Sequence, residues 1–179
     1  QTPICENSQA TLRFNFTGVG SFDYNYQING GSVSNISGSG STSSQSFVPP
    51  TGVEQYLYTL VDVTATAPSG HSCSATLQQD VQLDIHLLPD VSLNGFDSLC
   101  LGDSRPLKFN ISRTKFPVTV DIQEQSGGVV STFTGLSNGD EVNFSPDASG
   151  VYRIVQAYDE SALACAGSFQ GKHQFEVLP

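Results

Sequence analysis

The chain contains no tryptophan and no methionine, three histidines, four cysteines and only seven lysines and arginines together in 179 residues. Each shortage removes a class of function. Seven scattered cations against 17 carboxylates leave a formal charge of −10. A phosphate backbone is bound by clustered Lys and Arg, so no nucleic-acid partner is expected, and the acidity reads as solubility. No apolar run approaches the roughly 18 residues of a spanning helix, so no membrane insertion is expected in this segment. No basic-then-apolar leader opens the chain. There is no G-x-S-x-G elbow, no G-x-x-x-x-G-K phosphate loop and no H-E-x-x-H helix, so neither an enzyme nor a cofactor is expected. His71, His86 and His173 stand far apart in sequence and read as surface residues without a shared site.

What is present points to β structure. Glycine (17) and proline (9) punctuate the chain, no stretch keeps a 3.6-residue apolar period, and short segments alternate with period 2 instead. In the first half the inward sets are Leu12, Phe14 and Phe16; Phe22, Tyr24 and Tyr26; Tyr56, Tyr58 and Leu60; and Val81, Leu83 and Ile85. In the second half they are Leu107, Phe109 and Ile111; Val118, Val120 and Ile122; Val142 and Phe144; Tyr152, Ile154 and Tyr158; and Phe175 and Val177. Turn material such as "NGG", "SGG" and "SNGD" separates them. The segment "SGSGSTSSQS" (37–46) has no apolar alternation and reads as a flexible loop or weak edge.

The halves also match each other. "ICENSQATLRFNF" aligns without a gap on "LCLGDSRPLKFNI", pairing Cys5 with Cys100, Phe14 with Phe109 and Asn15 with Asn110. "YTLVDV" answers "YRIVQA", Cys73 answers Cys165, and the halves close on "HLLP" and "EVLP". This is a tandem duplication of about 90 residues, the size of a sandwich module. The expected fold is all-β, two tandem immunoglobulin-like β-sandwiches, domain 1 over 1–89 and domain 2 over 90–179. "DVSLNGFDSL" supplies a strand ahead of Cys100, whereas only "QTPI" precedes Cys5. The first strand of domain 1 should therefore be short or missing and its sheet edge open to strand addition. Two accounts of the chain ends stay open: a piece cut at repeat boundaries, or a protomer that joins neighbours head to tail into a filament.

Four cysteines without a C-x-x-C pair fit disulfides in an oxidising, extracellular or cell-surface compartment. Of three connectivities, Cys5 with Cys73 and Cys100 with Cys165 best respects the duplication, and Cys73 with Cys100 is the alternative. Each intra-module bridge would close a loop of roughly 65 to 70 residues, worth up to about 4 kcal/mol in the chain-entropy account. Asn-x-Ser/Thr triplets place candidate glycan acceptors at Asn15, Asn35, Asn110 and Asn143. Asp90, Asp97 and Asp103, with Asp159 and Glu160, could approach one pole and offer oxygen ligands to Ca²⁺, and a solvated acidic rim is the simpler reading.

The motif C-x-[GN]-x-S before a Leu-x-Phe strand, then a Tyr-x-[LI] strand, a downstream cysteine and a Leu-Pro junction, resembles the tandem Ig-like repeats of bacterial, Bacteroidota-type cell-surface adhesins and gliding proteins. It is also similar to the lumenal Ig-like repeats of the fungal pore-membrane nucleoporin, through "YRIVQAYDESALAC". Either resemblance implies a structural repeat in an extracytoplasmic array, with neighbouring copies or Ig-like modules as partners. The expected role is a non-enzymatic module of a stalk, fibre or adhesin. The alternative is a module that binds a carbohydrate or a protein through its loops.

Overall fold

The structure, a computed structural model, describes residues 3–17 and 20–179; Gln1 and Thr2, the start of the short leading segment, lie outside them. Every regular element is a strand, and the chain forms two compact units, Gln1–His86 and Leu87–Pro179. Both are immunoglobulin-like sandwiches.

The first unit contains β1 (Ile4–Cys5), β2 (Ala10–Asn15), β3 (Ser21–Ile28), β4 (Ser34–Ser39), β5 (Thr42–Phe47), β6 (Gln55–Thr66) and β7 (Ser72–His86). One sheet has the order β1-β7-β6-β3-β4, and β2 pairs with β5 alone as the second layer. The β3–β4 connection turns at Asn29 and Gly30, both in the left-handed region (φ 49° and 69°), as a tight reversal between twisted strands demands. Residues 37–46 are not a free loop: they form the end of β4 and most of β5. Cross-strand polar pairs do there what apolar alternation does elsewhere. The Tyr24 hydroxyl bonds the Ser43 hydroxyl at 3.0 Å, Thr11 bonds Ser46 at 3.0 Å, and Ser37 donates to Asp23.

The second unit contains β8 (Asp90–Cys100), β9 (Arg105–Ser112), β10 (Val118–Glu124), β11 (Ser131–Leu136), β12 (Glu141–Phe144), β13 (Gly150–Asp159) and β14 (Ser168–Leu178). Its strands form one continuous ladder, β11-β10-β13-β14-β8-β9-β12. The hinge of that ladder is β8. It lies parallel to β14 along its whole length, from Ser168 beside Asp90 to Leu178 beside Cys100, and its first residues, Asp90 to Leu93, also pair antiparallel with β9. One long strand thus belongs to both layers.

The cores differ accordingly. In the second unit Val91, Leu93, Leu107, Phe109, Val118, Val120 and Phe175 are sealed from water within one cluster that spans both layers. In the first unit the aliphatic cluster is Ala10, Leu83 and Ile85, and the rest of the interior is an aromatic ladder. Phe14 meets Tyr24 at 4.5 Å, Phe16 meets Phe22 at 4.6 Å and Phe47 meets Tyr58 at 4.9 Å between ring centres. Period 2 misplaces one residue in β13: the register slips between Gln156 and Ile154, so Ala157 turns inward and Tyr158 sits half-buried.

Candidate functional site

Among the described residues a candidate site stands at the place in the first unit that β8 fills in the second. β1 covers only the last two residues of β7, Ile85 and His86. From Ser72 to Asp84 the outer edge of β7 has no strand beside it among the described residues, and β2 pairs only with β5. Two open edges therefore flank a cleft of about 310 Å³ lined by Leu12, Phe14, Phe16, Tyr58, Leu60 and Val81, with Arg13, Asn15, Tyr26, Leu77 and Gln79.

The duplication supplies its reference. Cys5 faces His86 as Cys100 faces Leu178, so Leu77, Gln79 and Val81 hold the places of Phe169, Gly171 and His173, which lie beside Val91, Leu93 and Gly95. On the other layer Phe14 and Phe16 match Phe109 and Ile111, the partners of Leu93 and Val91. Exposure records what β8 covers: Val81 is 40% exposed where His173 is 4%, and Phe14 is half-buried where Phe109 is fully buried. Burial in the aromatic ladder, with Tyr56 and Tyr26 nearby, holds the Tyr58 phenol well above the ordinary tyrosine range.

The cysteines depart from the expected pairings. Cys73 and Cys100 are free and exposed, and Cys5 and Cys165 are disulfide-bonded. Cys5 stands beside His86 at the end of β7, whereas Cys73 stands beside Ala65 at its start. At about 3.3 Å per residue the strand puts them roughly 40 Å apart, and a bridge requires Cα atoms within about 7 Å. In the second unit Cys100 lies beside Leu178 at the end of β14, and Cys165 precedes the start of that strand at Ser168. Neither Cys5–Cys73 nor Cys100–Cys165 is compatible with the fold, and the Cys73–Cys100 alternative is not formed.

The candidate glycan acceptors and the acidic residues Asp90, Asp97 and Asp103 do not converge. Asn15, Asn35, Asn110 and Asn143 are all exposed on strands. Asp90 and Asp97 are seven residues apart on β8, about 23 Å. Asp90 accepts from the Ser168 hydroxyl at 3.0 Å, Asp97 meets His173 at 2.9 Å, and Asp103 closes a turn onto the Cys100 carbonyl at 3.0 Å. Asp159 is buried and ties down its own loop, accepting from the Ser161 hydroxyl at 2.7 Å and the Cys165 amide at 2.9 Å. Glu160 accepts from the Thr119 hydroxyl at 2.9 Å. His173 is not a surface residue: it packs on Phe175 at 4.4 Å between ring centres. Its space is made by Gly95, where a Cβ would come within 2.3 Å of the imidazole.

No protein-family model matches the chain, and no curated protein matches it. Among solved structures it is similar to the calcium binding domain CBD12 of CALX1.1, at 10% identity and TM-score 0.36, covering 99% of this chain and 96% of that one. It is also similar to the titin domains z1z2 in complex with telethonin, at 17% identity and TM-score 0.33, covering 98% and 91%. No residue role follows from likeness at this level.

Proposed function

We propose that the chain is a non-enzymatic pair of Ig-like repeats that acts as a spacer in an extracytoplasmic stalk, fibre or surface adhesin. The observation that carries this reading is the parallel pairing of the first and last strands of a unit. Because β8 and β14 run side by side in the same direction from Asp90 to Leu178, the chain enters the module at one pole and leaves at the other, about 35 Å on. β1 and β7 are parallel as well. A module built this way hands the chain forward from one pole to the other, as a repeat with neighbouring modules for its partners requires. A repeat boundary after Pro89 is supported by Asp90 opening β8. The disulfide-bonded Cys5 and Cys165 favour an oxidising compartment, and the four exposed Asn-x-Ser/Thr sites favour a glycan-bearing surface where the source attaches them.

Pulling the reduced chain by its two ends tests this. Two separate unfolding events, each releasing about 250–300 Å of contour, are expected from units of this length. A single event that releases both units together would overturn the spacer reading. A binding role is favoured by a different observation, the open cleft of the first unit.

A further inference from the structure

We propose that the outer face of the second unit's β10-β13-β14-β8 ladder is a docking surface for a linear polysaccharide that carries carboxylate groups. The inference goes beyond the spacer reading and does not depend on it. Its centre is one row of side chains across four strands. Gln123 on β10 stands opposite Arg153 on β13, Arg153 opposite Lys172 on β14, and Lys172 beside Asn94 on β8. At about 4.8 Å per strand the row is roughly 14 Å long, and Arg153, Lys172 and Asn94 are exposed. Two of only seven cations in a chain of 17 carboxylates thus face each other directly across a ladder, an arrangement that costs a sheet stability. Among the described residues neither forms an ion pair, whereas Lys108 meets Glu141 at 3.8 Å. The carboxylates Asp121, Glu176 and Asp90 on the same face already accept from the hydroxyls of Thr132 at 2.6 Å, Ser98 at 2.9 Å and Ser168 at 3.0 Å.

The chemistry of the occupant follows from that row. A partner carboxylate placed between the two cations removes their repulsion and gains charge-assisted hydrogen bonds, with the Arg153 guanidinium offering its two-pronged edge. The neighbouring groups select a sugar. Phe96 is 60% exposed beside Gln174 and lies two residues, about 7 Å, along β8 from Asn94. Its ring is a platform for the C–H face of a pyranose, and the amides of Asn94 and Gln174 donate and accept, as sugar hydroxyls do. A small ligand is held by a concave pocket; a row laid across strands suits an extended polymer instead. The chain's net charge of −10 opposes any polyanion at long range. In about 0.15 M salt the screening length is about 8 Å, so distant carboxylates count for little and the contact charges decide.

The experiment passes the intact 179-residue protein over immobilised polygalacturonate in about 0.15 M salt, with dextran as the neutral polymer and poly-L-glutamate as the acidic peptide. Saturable binding to polygalacturonate is expected, with affinity for the other two lower by about tenfold or more. The Arg153→Gln, Lys172→Gln double variant should bind polygalacturonate about tenfold or more weakly, Phe96→Ala about threefold or more weakly, and Lys172→Arg as well as the unaltered chain. Because the neutral pair relieves a like-charge contact, the double variant should melt no lower, so its loss of binding reads the contact and not the fold. Absence of binding to polygalacturonate, or binding that the neutral pair leaves unchanged, would overturn the proposal. Equal capture by poly-L-glutamate with no effect of Phe96→Ala would overturn the sugar assignment and leave an acidic peptide as the occupant. The spacer reading is tested by pulling and this one by polymer capture, so either can fail alone.

Discussion

Replacing Leu93 by alanine measures what the long first strand contributes to a unit. Leu93 is fully buried, faces Phe109 across one ladder and lies beside Gly171 in the other. Truncating a buried leucine costs about 2–5 kcal/mol, the value rising as the surroundings fail to collapse into the space. Collapse is resisted here because the Leu93 carbonyl is held so close to Gly171 that a Cβ there would stand 2.2 Å from the oxygen. The backbone on both sides is fixed, so the upper half, about 3–5 kcal/mol, is expected. For a module of this size a loss of about 3 kcal/mol lowers the midpoint by roughly 12–24 °C. Leu93 lies in the second unit, so the transition of the first should not move. A matched pair sharpens the comparison: Phe109→Ala should cost about 3–5 kcal/mol, and Phe14→Ala, in a wall of the open cleft, about half of that. Scanning calorimetry, with the transitions assigned to each unit by hydrogen exchange, reads all three, and the first unit should melt first. Equal costs for the two phenylalanines, or a Leu93→Ala shift shared by both units, would refute the view that β8 makes the difference between the cores.

Two thiols per native chain, Cys73 and Cys100, should react with a disulfide reagent without denaturant, and peptide mapping of the unreduced protein should show no Cys5–Cys73 or Cys100–Cys165 linkage. The phenols of Tyr58 and Tyr152 are held above their ordinary value chiefly by burial; the folded state binds those protons more tightly, so the stability they contribute is complete below pH 10 or so and is lost as pH rises above it. Absorbance titration of the six tyrosines should show a late-ionising fraction that shrinks in Tyr58→Phe, and a titration unchanged by that substitution would contradict the burial. Gly95→Ala drives a methyl into the His173 ring and should cost about 1–3 kcal/mol, most of it recovered in the Gly95→Ala, His173→Ala double variant when both are measured by urea denaturation. Full cost in the double variant would mean that the strain lies in the backbone instead.

Period 2 was readable wherever a strand has one dry face. Leu107, Phe109 and Ile111 alternate with exposed residues and are all buried, and the duplication marked the second copy of each such strand. The signal disappears where the fold has no dry face to offer. From Ser72 to Gln82 β7 is exposed residue after residue, so of the inward set Val81, Leu83 and Ile85 read from the alternation only Leu83 and Ile85 are buried, and Val81 stays 40% exposed. β5 is invisible for a related reason: its inward Ser43 satisfies the Tyr24 hydroxyl, a requirement set by a residue on another strand. His173 reads as a surface residue until Gly95, on a distant segment, is seen to make room for it.

The cysteines show the limit most clearly, because there the sequence contains a true equivalence and a false inference drawn from it. A duplication says that Cys5 corresponds to Cys100 and Cys73 to Cys165; it does not say that corresponding pairs are neighbours. Proximity is set by strand direction. A first strand antiparallel to the last would bring the leading cysteine to the start of that strand, beside the downstream cysteine, and the intra-module bridge would close. The parallel pairing of β1 with β7 and of β8 with β14 carries the leading cysteine to the far pole instead. The same parallel pairing sends the chain in at one end of the module and out at the other, so the feature that forbids the expected bridge also gives the repeat its forward direction. Removing Cys73 should accordingly leave the first unit as stable as before, within about 0.5 kcal/mol, as expected for an exposed side chain that closes no loop. A loss of several kcal/mol in Cys73→Ser, measured on the oxidised protein by urea denaturation, would restore the intra-module bridge and with it an antiparallel first strand.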